Sequence, residues 1–490
     1  MSAITRPIER AYPAANAGAA YRTIWRWHFY AGLFCLPFIV VLSLSGSVYL
    51  FKPQIDAFLD RDFDHLTLAR PAKTLDDQVE AALAANPTAR IKAVQLRDDP
   101  TDATRVHLMT QEGKELRVLV RPDTLEIMKT EAQKSRLTNF MHDLHGELLL
   151  GEPGAIAVEL AGAWAIVMVI TGLYLWWPRS SSGLAGVLYP RLGGGRRFLR
   201  DLHAVTGIWL SFFALFFLLS ALPWTKVWGE GFKYVRTVGE RREVRQDWTT
   251  GPASEKAQRM ETYRDAPAAR SEAISDEHAE HHAEHMAGGE HAGHVGQANH
   301  GETAGRITGF DELAAQVAPL HLADPVLISP PSARKPNWIA RSDAQNRTLR
   351  ASLEFKPKSF EQVKEEQFAD RPMVDRIINI GVAAHEGQLF GWFNQMLGFL
   401  TAIGYLTLVV TSFQMWWRRD RKEPWEPLRF WLEHPASRHS LSGWSFSSVF
   451  SCRRWGCRSF SSWSRRDCFA ASRRPPPHGS DSRLRQVAAA

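Results

Sequence analysis

The sequence predicts an α-helical membrane bundle of four spans in two parallel repeats, with a small α+β domain inserted between the spans of each repeat. Three observations carry this expectation. Four apolar runs, 27–51, 155–177, 204–228 and 392–417, reach the ~20 residues that a helix needs to cross a bilayer. Two histidine phrases recur 240 positions apart, HGELLLG at 145–151 and HEGQLFG at 385–391, each histidine standing 31 residues before a Trp-Trp pair. A second pair, His28 and His203, has glycine at +4 (Gly32, Gly207) and serine at +17 (Ser45, Ser220). Self-similarity at a fixed offset sets the architecture before any local detail is read.

The N-terminus, 1–26, carries Arg10, Arg22 and Arg26 and leads into the first span, 27–51. That span is too long for a secretory leader and has no clear small-x-small site before Lys52, so it reads as a retained anchor. An outer loop, 52–144, precedes the second span, placed within 145–178. The short loop 179–200 holds Arg179, Arg191, Arg196, Arg197 and Arg200, and the third span lies within 201–228. A second outer loop, 229–384, precedes the fourth span within 385–417, which Arg418, Arg419, Arg421 and Lys422 follow. All three basic clusters fall on one side, which the positive-inside rule makes cytoplasmic. Trp25, Trp27, Trp176, Trp177, Trp416 and Trp417 supply an aromatic belt at that face.

Each outer loop has an α+β pattern. In the first, residues 75–83 read as an amphipathic helix stopped by Asn86-Pro87, and 91–96, 105–109 and 116–120 read as alternating strands. In the second, 310–317 echoes the helix, and 326–329, 338–341 and 348–355 echo the strands. Between 236 and 305 the composition turns polar and rich in Ala, Gly and His, which predicts a disordered insert. It holds His278, His281, His282, His285, His291 and His294, whose i,i+4 pairs are suited to a divalent metal; a solvated linker that binds metals weakly is the plainer reading.

The net charge of +7 is misleading. Residues 437–490 contain ten arginines against Asp467 and Asp481, so the rest of the chain is near neutral and nothing points to nucleic acid. This stretch of the 418–490 tail shows no periodicity and reads as a disordered basic tail or an out-of-frame segment. It also holds three of the four cysteines, with no disulfide framework; Cys35, alone in a span, reads as a small buried hydrophobe.

Haem in a membrane bundle requires neutral imidazoles projecting from facing helices, with room for a flat macrocycle. A span covers ~30 Å at 1.5 Å per residue, so His28 and His145, at opposite ends, cannot share an iron. The symmetric arrangement pairs His28 with His203 at an inner site and His145 with His385 at an outer one, giving two bis-histidine b-type haems. Gly32 and Gly207, and Gly146 and Gly387, would clear space for a porphyrin edge. A single interfacial histidine is usually only a polar residue; repetition at fixed spacing is what points to ligation. His142, one turn before His145, is an alternate outer ligand, but Val382 stands at its counterpart in the second repeat.

The phrases WHFYAGLF…LSLSGSVYLF, LHGELLLG…ITGLYLWWPR, RDLHAVTGIW and HEGQLFG…WWRR resemble the PepSY-associated transmembrane family over residues 22–420. Its members include iron-regulated inner-membrane proteins and haem-dependent ferric-siderophore reductases. The resemblance implies haem ligation by His28, His203, His145 and His385, a PepSY-like domain at 52–144, periplasmic outer domains and a bacterial inner-membrane location. Two departures stand out. Ser45-Gly46 and Thr171-Gly172 of the first repeat become Ser220-Ala221 and Thr411-Ser412 in the second, and the tail lacks the further hydrophobic helices that some members carry.

The resulting expectation is an electron conduit that reduces a periplasmic ferric chelate, a siderophore complex above all. Gly193-Gly194-Gly195 follows no strand, so no flavin or nicotinamide motif is present, and electrons come from a separate cytoplasmic donor or quinol. The alternative is a non-enzymatic metal-uptake accessory or regulatory membrane protein that uses the His-rich loop.

Overall fold

The computed structural model describes residues 14–97, 99–179, 183–240, 249–267 and 307–418. The histidines from His278 to His294 and the arginine-rich tail lie outside the described residues.

The chain opens with α1 (Ala14–Leu50), followed by the short α2 (Lys52–Asp60) and by α3 (Leu75–Ala84). Four strands come next: β1 (Arg90–Leu96), β2 (Thr104–Met109), β3 (Glu115–Val120) and β4 (Ile127–Ala132). Then come α4 (Leu137–Glu147), α5 (Glu152–Trp176), α6 (Gly195–Ala221), α7 (Lys226–Glu240), α8 (Gly251–Asp265) and α9 (Phe310–Val317). The second strand set is β5 (Val326–Ser329), β6 (Trp338–Ser342), β7 (Ala351–Phe355) and β8 (Gln362–Gln367), and α10 (Met373–His385) and α11 (Trp392–Trp417) complete the described chain.

The segments long and apolar enough to cross a membrane are Gly18–Leu50, Glu152–Trp176, Gly195–Trp224 and Trp392–Trp417. They pack in a ring: α1 against α5 and α11, and α6 against the same two. Helices α1 and α6 therefore sit diagonally across a central space. Large apolar side chains such as Leu44, Ile170, Phe212, Leu400 and Val410 face outward, as expected where the surrounding solvent is hydrocarbon.

The two strand sets form one antiparallel eight-stranded sheet, ordered β4-β3-β2-β1-β5-β6-β7-β8, rather than two separate small domains. The join is the β1–β5 ladder, with Val94 opposite Ile328 and Leu96 opposite Val326. Alternation along the strands gives the sheet two unlike faces. On one, Val106, Val118, Ile328, Trp338 and Phe355 bury against Val79, Leu83, Phe310 and Leu313 of α3 and α9. On the other, Arg105 and Arg117 are buried among carboxylates. Arg117 and Arg136 both bind Asp60 and Glu131, and Arg136 also binds Asp56. This network clamps the sheet onto α2 and onto the entrance to α4, beside the ends of the spans.

Strands β4 and β8 escaped the sequence reading because both are edge strands: their charged, exposed residues (β8 reads QVKEEQ) show no alternation. The expected strand at 348–355 begins only at Ala351, after a turn at Arg347–Leu349. The outer histidines stand on short helices of their own, not on the spans to which the sequence reading joined them. Left-handed Leu148, Leu149 and Gly151 separate α4 from α5, and Gly387 and Gly391 separate α10 from α11.

Candidate functional site

His28 on α1 faces His203 on α6, with ring centroids 6.4 Å apart and planes at 82°. At the sheet-side end, His145 on α4 faces His385 on α10, again at 6.4 Å, with planes at 89°. The four predicted histidines thus come together in the two predicted pairs. His142 does not join them: it is half-exposed, lies against Tyr49 and contacts Asp143.

The spacing can be tested against coordination chemistry. Metal–imidazole bonds of about 2 Å, and a ring centre ~1.1 Å behind its nitrogen for ~1.3 Å ring bonds, put two axial imidazoles ~6.3 Å apart, centroid to centroid. Both pairs match that distance.

Hydrogen bonding fixes the tautomer. His28 Nδ1 lies 3.0 Å from Met168 O and 3.1 Å from Thr171 Oγ1. A carbonyl only accepts, and the Thr171 hydroxyl already donates to Val167 O at 2.7 Å, so Nδ1 must carry the proton. The other three rings repeat the device. His203 Nδ1 donates to Thr411 Oγ1 (3.1 Å), whose hydroxyl donates to Thr407 O. His145 Nδ1 donates to Ser45 Oγ (3.2 Å), whose hydroxyl donates to Val41 O. His385 Nδ1 lies 2.9 Å from Ser220 Oγ, whose hydroxyl also reaches Phe217 O at 3.1 Å. In the neutral ring, an Nδ1 that donates leaves the lone pair on Nε2, the form a metal ligand requires.

Glycine makes room for two of the rings. A methyl group at Gly46 would sit 3.1 Å from His145 Cε1, and one at Gly172 would sit 3.0 Å from His28 Cε1. These are the small-residue pairs Ser45-Gly46 and Thr171-Gly172. In the sequence they stand out only as a departure between the halves; in the structure the hydroxyl member holds an imidazole and the glycine clears space for it. The glycines that the sequence reading assigned to a porphyrin edge fare unevenly. Gly32, Gly146 and Gly207 line the central cavity. Gly387 is instead required by its left-handed backbone and by the close approach of Leu50.

All four histidines line one cavity of about 1800 Å³ that runs down the ring of spans. That exceeds the roughly 300–1,000 Å³ of an ordinary small-molecule site. Its walls are mainly apolar, with Cys35, Phe38, Ile166, Leu210 and Tyr405 between the two pairs. Facing imidazoles at coordination distance, each with a hydroxyl at Nδ1, in an apolar cavity large enough for two macrocycles: the residues fit haem.

Elsewhere among the described residues, His65, Asp99 and Asp102 form a group of potential metal donors. Their oxygens are already engaged: Asp102 holds Arg97 and the His65 amide, and Asp99 holds Thr101. This is a turn network, and no sequence motif points to it.

No curated protein matches the chain. Among protein families, the PepSY-associated TM region matches residues 25–419. A match over most of the length, on a chain with four membrane-length apolar helices, identifies a multi-pass membrane protein that belongs to the PepSY-associated transmembrane family.

Proposed function

We propose that this protein is a haem-dependent electron conduit of the bacterial inner membrane. It would take electrons from a cytoplasmic donor or quinol and reduce ferric iron, as a siderophore complex, in the periplasm. The observation that carries the reading is the pairing of four imidazoles at 6.4 Å, each with a hydroxyl at its Nδ1. Two haems would be held, one by His28 and His203 and one by His145 and His385. Bound haem iron supplies one-electron chemistry, and one electron delivered to a ferric chelate gives iron(II), which hard oxygen ligands hold less tightly.

The chain's own residues do the rest. Thr171, Thr411, Ser45 and Ser220 orient the rings and raise their basicity by accepting from Nδ1. On α1, seventeen residues separate His28 from Ser45, or ~26 Å at 1.5 Å per residue, so the two sites serve opposite faces of the membrane. The apolar wall between them excludes water. The basic clusters support an N-terminus in the cytoplasm and a sheet in the periplasm. The matched serine and threonine partners in both halves support a duplicated helix pair with parallel repeats.

The test is the visible spectrum of the purified protein. Dithionite-reducible bands of low-spin b-type haem are expected, at two haems per chain, and His28→Ala or His203→Ala should remove about half. A colourless protein that binds divalent metal would overturn this reading in favour of a metal-uptake accessory.

A further inference from the structure

Helix α7 leaves the third span after only Thr225 and presents a strongly exposed apolar face. Val227, Tyr234, Val235 and Val238 are each 62–70% exposed. At 100° per residue they occupy a single arc of the helix. The opposite arc is fixed to protein: Gly229 is pressed against Pro223 O, and buried Arg236 binds Asp375 of α10 at 2.7 Å. Helix α10 has the same design. Met373, Val374, Ile377 and Ile380 are exposed on one side, while Asp375, Asn379, Val382 and Ala383 are buried on the other. The Arg236–Asp375 pair joins the two helices by their polar faces and leaves both apolar faces outward.

The depth of α7 identifies what covers it. Its first amides, Val227 N and Trp228 N, donate to the Glu159 carboxylate at 2.9 and 2.8 Å. Glu159 lies seven residues inside α5, which begins at Glu152, so its Cα is ~10 Å down the span from the sheet-side end. The side chain leans back toward the helix N-terminus and recovers only part of that depth. Helix α7 therefore starts below the end of a neighbouring membrane span, where an outward apolar face meets acyl chains. Exposed Lys233 lies off the apolar arc, placed to reach headgroups.

We infer that α7 and α10 form a paired amphipathic raft embedded in the sheet-side leaflet, with acyl chains as its occupant. The raft does not span; it lies in the interface, as amphipathic helices with one polar face do. Because α10 ends at His385, lipid contact also steadies one member of the sheet-side histidine pair. The inference does not depend on haem.

The test is nitroxide accessibility in phosphatidylcholine–phosphatidylglycerol nanodiscs. Full-length protein with its four cysteines changed to serine would carry one label at a time, at Val235, Ile377 or Lys256, the last being an exposed residue of α8. Collision with oxygen should exceed collision with a water-soluble nickel chelate several-fold at positions 235 and 377, and the order should reverse at 256. Nickel-dominated collision at 235 and 377 would overturn the proposal. So would protection from both reagents, which means a protein cover; spin dilution then separates a second copy, whose signal sharpens, from the chain's own segments. If serine at position 35 prevents folding, quenching of a bimane label at Tyr234 by brominated lipid, with Cys35 retained in its buried site, reads the same contact.

Discussion

Asp76 and Asp311 cap each other's helices across the middle of the sheet. The Asp311 carboxylate accepts from Leu75 N and Asp76 N at 2.9 and 3.1 Å, and Asp76 accepts from Gly309 N and Phe310 N at 3.1 and 2.9 Å. Each aspartate satisfies orphan amides at the other helix's N-terminus, where the dipole also favours negative charge. The exchange lies above the β1–β5 join and fastens the two halves of the outer module as a unit.

Loss of either cap should therefore weaken both halves together. Asp76→Ala and Asp311→Ala are each expected to cost about 1–2 kcal/mol, the usual range for an N-cap. The double variant should cost less than the sum, because the two capped ends share one packed interface. Denaturant melts followed by far-ultraviolet circular dichroism check this; strict additivity would mean that the two caps act independently.

The hydroxyls behind the histidines act as positioning residues. Thr171→Val removes one of the two partners of His28 Nδ1, leaving Met168 O, while keeping the side chain's volume; Ser220→Ala removes the hydroxyl beside His385 Nδ1. Each should weaken haem retention at its own site by about 10- to 100-fold, as outer-shell substitutions do. Each should also shift the midpoint potential of that haem alone. Thr171→Ser, which keeps the hydroxyl, should leave the His28–His203 site, the one distal to the sheet, intact. A variant that loses haem from both sites equally would point to general unfolding.

The glycines next to the rings should be as selective. A methyl at Gly172 meets His28 and one at Gly46 meets His145, at 3.0 and 3.1 Å. Gly172→Ala is expected to disturb the distal site's spectrum and Gly46→Ala the sheet-side one. The second half already carries Ala221 and Ser412 at the matching positions. The two rings of each pair are therefore held by unlike neighbours, and Ala221→Gly should be tolerated.

Much of this architecture was legible in the chain. The spans announce themselves by length and apolarity, and the histidines by their repeated offsets, because both signals are local. The single sheet was not legible: the β1–β5 ladder joins residues more than 200 positions apart, and no pattern in either strand names its partner. Ser45, Ser220 and the small-residue pairs were visible as repeats, but their role depends on which helix faces which. The break before α5 is hard to read because left-handed Leu148 and Leu149 are leucines, which give no turn signal; before α11 the break lies at Gly387 and Gly391, and Gly387 reads equally well as room for a porphyrin edge.

The last prediction concerns acid. Asp60 is buried, which by itself raises its pKa, but hydrogen bonds and charge from Arg117 and Arg136 outweigh burial and hold the carboxyl well below its usual range. A depressed folded value means that ionised Asp60 stabilises the folded state fully above the unfolded pKa of about 3.9. That contribution is lost as pH falls from there through the folded value. The clamp between sheet and span ends should thus hold at pH 5 and above, and the outer module should loosen progressively below pH 4. Asp60→Asn leaves two buried guanidiniums short of a counter-charge, a loss of about 3–5 kcal/mol at neutral pH by analogy with broken buried pairs. It should also flatten the acid limb of the stability curve. Thermal melts of the intact protein from pH 3 to 7, wild type against variant, check both, and an unchanged acid limb in Asp60→Asn would assign the acid response to other carboxylates.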